Sequence, residues 1–96
     1  MRDLTQLNKL EEYLKNKGMG YQRFDNDDDK FGVDRHQIYV PNAKNPKWDV
    51  ICHYGSYGAK EGLLEIYGSI VDPICGDSVE GYLTADDVIA RIENRW

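Results

Sequence analysis

Leu4, Leu7, Leu10 and Leu14 recur at the three- and four-residue spacing that places side chains on one face of a helix. Asp3 reads as its cap, and Gln6, three residues on, completes a capping box. Lys15 and Lys17 suit the negative end of the dipole, and Gly18 is a left-handed stop. "YQRF" from Tyr21 to Phe24 is a short strand, and "RHQIYVP" is a second, ended by Pro41. "WDVICHY" alternates, with Trp48, Val50, Cys52 and Tyr54 on one side and Asp49, Ile51 and His53 on the other. "LLEIYG" alternates again, Leu64 and Ile66 opposite Leu63, Glu65 and Tyr67. "SIVDPICGDSVEGY" reads as a long irregular connection with Val71 or Ile74 tucked beneath it. In "LTADDVIARIENRW", Thr84 caps a second helix whose buried stripe is Val88, Ile89, Ile92 and Trp96. Asp86 and Asp87 stand at its positive end, Arg91 and Arg95 at its negative end.

The order helix, strands, helix predicts one α+β domain over residues 1–96. Its small, mainly antiparallel sheet has three to four strands, with the N- and C-terminal helices on one face. Ile38, Val40, Trp48, Val50, Cys52, Leu64 and Ile66 would then face the helices. Tyr39, Ile51, His53, Leu63 and Tyr67, with Gln37, Asp49 and Glu65, would lie on the uncovered side. An aromatic face left bare marks a contact surface, because tyrosine buries a large area and keeps a polar tip. Cross-strand packing without a partner is the competing explanation.

Composition narrows the class. Ninety-six residues with 41% hydrophobic and 30% charged side chains make one modest core. No apolar run reaches the ~20 residues of a membrane helix, and no apolar stretch follows Arg2 as a secretory signal requires. A cytoplasmic location is expected. The net charge of −5 is uneven. Residues 1–24 hold five basic and three acidic side chains, whereas residues 61–96 hold two and eight. An acidic C-terminal third repels nucleic acid and suits a partner with a basic surface, or serves solubility alone.

The candidate chemistry is thin. "HYGSYGAKEG" lacks the Gly-Lys-Ser/Thr of a Walker loop, and Glu61 would repel a phosphate. Strands on both sides make it a hairpin connection, with Tyr57 at the tip as a contact residue. In "DNDDDK", Asp25, Asp27 and Asp29 match the start of an EF-hand loop. Lys30 then replaces the essential glycine and His36 the bidentate glutamate, so a polar turn is expected. Cys52, Cys75, His36 and His53 lack the close spacing of a zinc site. Cys52 reads as core and Cys75 as an exposed bystander thiol. No metal, cofactor or catalytic residue is assigned.

The stretches "WDVICHYGSYG", "EGLLEIYG" and "DSVEGYLTADDVIARI" resemble small phage- and prophage-encoded proteins of low-GC Gram-positive bacteria. The resemblance covers about half the chain and implies a genomic setting, not an activity. It implies an accessory phage protein, and such proteins often inhibit host defence. The first expectation is therefore a non-enzymatic binding protein, an anti-CRISPR-like inhibitor of a host defence nuclease or effector. Asp77, Glu80, Asp86, Asp87 and Glu93 would steer it to a basic surface, and Tyr39, His53, Tyr57 and Tyr67 would anchor it. The alternatives are a protein that sequesters a nucleotide signal, with Tyr39, His53 and Tyr67 stacking the base, and a homodimeric accessory protein.

Overall fold

Helix α1 spans Thr5–Asn16 and buries Leu7, Leu10 and Leu14. Each such leucine contributes about 1.5–3 kcal/mol by leaving water. The computed structural model describes residues 2–27, 33–71 and 79–96. The chain continues through β1 (Gln22–Asn26), β2 (Arg35–Val40), β3 (Trp48–Ile51), a 3₁₀ turn (Ala59–Glu61), β4 (Leu64–Gly68), β5 (Val79–Leu83) and α2 (Ala85–Arg95). The strands form one antiparallel meander in the order β1-β2-β3-β4-β5.

The α+β class, the antiparallel sheet and the terminal helices are as the pattern predicts, but among the described residues the sheet has five strands. The fifth, Val79–Leu83, lies in the segment read as irregular. Gly81 sits in its middle, so the alternation that marks a strand is broken there. β1 runs two residues further than the pattern indicates, into Asp25 and Asn26. Those two residues pair with His36 and Arg35 rather than turning. β3 stops at Ile51, so Tyr54 lies in the following turns and is exposed instead of pointing into the core.

One face of the sheet carries the core. Ile38, Val40, Trp48, Val50, Cys52, Leu64, Ile66 and Leu83 are buried with the α1 leucines and with Ala85, Val88 and Ile92 of α2. Ile70 and Val71 close the core beyond β4. Ile89 is only partly buried, and Trp96 is half exposed, its ring edge-on to Trp48 at 6.3 Å.

The helix ends are made differently. α2 has a full capping box, the Thr84 hydroxyl accepting from the Asp87 amide and the Asp87 carboxylate from the Thr84 amide. The box expected on α1 does not form. Leu4 occupies the cap position, and the Asp3 carboxylate accepts from Thr5 instead. The Gln6 side chain crosses to α2, where Oε1 accepts the Ala85 amide at 2.7 Å. Gln6 thus satisfies an otherwise orphaned donor of the second helix.

Candidate functional site: a bare sheet face and a tyrosine cleft

The strand registers lay two rows of side chains across the face that the helices leave uncovered. One runs Phe24, Gln37, Ile51, Glu65, and the other Gln22, Tyr39, Asp49, Tyr67, Val79. Polar ties fix their middle. Arg35 donates to the Tyr39 hydroxyl at 2.6 Å and to Gln37 Oε1 at 3.1 Å, and the Tyr39 hydroxyl donates to the same Oε1. Gln37 Nε2 donates to the Asp49 carboxylate. Burial raises the Asp49 pKa, and the charge of Glu65 adds to the rise. The Arg35 guanidinium lies 4.8 Å from the centre of the Phe24 ring. Tyr39 is therefore committed within the face, while Phe24 and Tyr67 remain 42% and 55% exposed.

His53 is placed differently from the expected face residue. It is half-buried in the turn after β3, where Nδ1 faces the His36 amide at 3.4 Å. Desolvation lowers its pKa. The ring accepts past the end of β3, in the turn rather than on the sheet face.

Tyr57 lies four residues on from His53, in the middle of the glycine-rich connection. Its ring stacks on Tyr82 of β5 at 6.4 Å and 25° between planes. Two glycines permit the approach. A β-carbon on Gly81 would meet Tyr57 Cβ at 2.3 Å, and one on Gly58 would meet Tyr82 Cα at 3.0 Å. The Tyr82 amide donates to the Tyr57 carbonyl across the gap. Tyr82 itself is left-handed, at φ 59°, a conformation uncommon for a bulky side chain. Around this pair opens a cleft of about 480 Å³, lined among others by Arg2, Tyr54, Lys60 and Glu61. The connection is thus the chain reversal that the sequence indicates, and it also forms a wall.

The acidic residues are not equivalent. Asp86 and Glu93 are exposed on α2, with Lys9 3.2 Å from Asp86. Glu80 is nearly buried and pairs with Arg91 at 2.9 Å. Asp87 belongs to the α2 cap, and its hydrogen bonds with Thr84 lower its pKa. Asp77, with Cys75 and Ile74, falls outside the described residues.

A polar corner whose joint arrangement the sequence does not show fastens β1, β2 and the N-terminus. The His36 ring is fully buried, with Nδ1 2.7 Å from Asp25 and Nε2 3.0 Å from Asp27 and 3.3 Å from Asp34. Arg2 donates twice to Asp34, at 2.9 and 2.8 Å, and the Tyr54 amide donates to the same carboxylate. The Arg2 guanidinium holds the Asp34 pKa down to about 2. Arg23 bridges Asp25 and Glu11, tying the β1 edge to α1. Of the EF-hand-like aspartates, Asp25 thus bonds a histidine, while Nε2 lies near Asp27 and Asp34 without a hydrogen bond. Among the described residues no group of three or more His, Cys, Asp or Glu is placed to hold a metal ion. No helix of the described residues is long and apolar enough to cross a membrane.

No protein-family model matches this chain, and no curated protein or solved structure matches it either.

Proposed function

We propose that this protein is a non-enzymatic binding protein that occupies a basic surface of a protein partner, with the uncovered sheet face as its anchor. The observation that carries the reading is the pair of exposed rings, Phe24 and Tyr67, on a face already organised by its own hydrogen bonds. Such a face loses little side-chain entropy on docking. Glu93 and the exposed Asp86, the latter 3.2 Å from Lys9, supply long-range steering charge from α2, across the sheet from the anchor; Glu80 and Asp87 are occupied within the fold. The resemblance to phage-encoded proteins supports a setting in the host cytoplasm, with a defence nuclease or effector as the partner class.

The test is capture from lysate of the encoding organism, followed by kinetics on the purified partner. Phe24→Ala with Tyr67→Ala should speed dissociation, and Asp86→Asn with Glu93→Gln should slow association and flatten its salt dependence. A partner that binds both double variants with unchanged rates overturns the reading. Self-association abolished by Tyr67→Ala would replace the foreign partner with a second copy.

A further inference from the structure

The tyrosine cleft adjoins the sheet face, where the Glu65 carboxylate accepts the Tyr57 amide at 3.0 Å, but its chemistry is different. We infer that it binds a planar aromatic ring bearing an anionic group, a nucleoside monophosphate being the simplest such ligand. Tyr57 and Tyr82 lie near-parallel and are 58% and 61% exposed, so ring area is available for a base to stack on. Tyr54 stands on the same lining, also exposed. Lys60, which makes no ion pair among the described residues, lies on this wall, while the charge of Arg2 is already met by Asp34. Glu61, the one acid on the lining, repels a phosphate beside it and so leaves the Lys60 side of the wall for the anionic group, while its carboxylate supplies an acceptor for ligand hydroxyl or amino groups.

The way the cleft is built points the same way. Tyr82 holds a left-handed backbone that glycine or asparagine would adopt more readily. The fold keeps a tyrosine there, and Gly58 and Gly81 have no side chain where one would separate the two segments. Backbone strain retained at a cleft is a mark of a binding site. The cleft volume of about 480 Å³ falls within the range of small-molecule sites. A base would lie against the tyrosine pair, and its phosphate would reach toward Lys60. The stacking residues are thus Tyr57 and Tyr82, in place of Tyr39, His53 and Tyr67.

The experiment is calorimetric titration of the full chain with AMP, GMP, CMP and UMP, beside adenosine and ribose 5-phosphate as half-ligands. At least one nucleotide should bind, more tightly than either half-ligand. Tyr82→Gly accommodates the left-handed backbone and removes the ring, and should weaken binding about five- to a hundred-fold. Lys60→Gln should weaken the nucleotide and spare adenosine. Tyr54→Ala, an exposed change, should also weaken it, and thermal melting checks that each variant is folded. Failure of all four nucleotides to bind at millimolar concentration overturns the inference. So does binding unchanged by Tyr82→Gly, Tyr54→Ala and Lys60→Gln. Tyr67→Ala should leave nucleotide binding intact while impairing protein docking, so the two readings fail separately.

Discussion

Replacing Gly58 by alanine should damage the protein far more than replacing Gly55, although the two lie three residues apart in one connection. Both are left-handed, at φ 94° and 82°, so each alanine incurs about 1–2 kcal/mol of backbone strain. Only Gly58 adds a collision. Its β-carbon would stand 2.9 Å from Leu63 Cβ, 3.0 Å from Tyr82 Cα and 3.1 Å from the Tyr82 amide nitrogen, whereas one on Gly55 meets nothing within 4 Å. Backbone cannot swing aside as a side-chain tip can, and overpacking of this kind costs about 1–3 kcal/mol more. Gly58→Ala should therefore lose about 2–5 kcal/mol and Gly55→Ala about 1–2 kcal/mol. In a domain of this size the gap corresponds to about 5–20 °C in Tm. Urea unfolding at constant m-value measures the difference directly, and near-UV circular dichroism follows the Tyr57–Tyr82 stack. The stack signal should fade in Gly58→Ala and persist in Gly55→Ala. Equal losses in the two variants, or a larger loss at Gly55, would refute the claim that close approach of β5 makes Gly58 necessary.

Other consequences follow from the polar contacts. The Asp34 carboxylate contributes about 1–2 kcal/mol once screening by solvent is allowed for, and its depressed pKa fixes where this is felt. The contribution is complete above the unfolded value of 3.8 and is lost as pH falls through about 2. The stability gap between wild type and Asp34→Asn should accordingly close on acidification over that interval, and a gap independent of pH contradicts the assignment. Asp49 has the opposite sign: its raised pKa means that ionisation costs stability as pH rises through the folded value. Asp49→Asn keeps an acceptor for Gln37 and should melt no lower than wild type at neutral pH; a lower Tm counts against a burial-driven shift. Gln6→Ala should cost about 1–2 kcal/mol by orphaning the Ala85 amide. Gln6→Glu, which keeps an acceptor, should restore most of that loss, and a neutral Gln6→Ala would show the amide to be satisfied by water. The buried Cys52 thiol, its pKa raised by desolvation, should react with a disulfide reagent only at the rate of unfolding.

The leucine stripe of α1, the Thr84 cap of α2 and the alternation of β2, β3 and β4 were legible because each is a local pattern. Helix periodicity, capping and the in–out rhythm of a strand are set by neighbours within a few residues. Those patterns also assigned the two sheet faces, since a one-residue slip would have turned Ile38, Val50 and Ile66 to solvent. β5 was not legible, because Gly81 interrupts its rhythm for the sake of Tyr57, a residue far from it in sequence. His36 looked like a failed metal ligand until folding brought Asp25, Asp27 and Asp34 around it.

What the chain alone determined is the two helices, the strands β2 to β4 and most of the core, all consequences of short-range periodicity. What only tertiary structure decided is which polar groups are used up. Gln6 was claimed by the far helix, His53 by a ladder amide, Glu80 by Arg91, and Tyr82 was brought onto Tyr57. Each partnership joins residues separated by 11 to 79 positions or by a strand crossing. Loop closure makes such contacts available only once the core has set the distances.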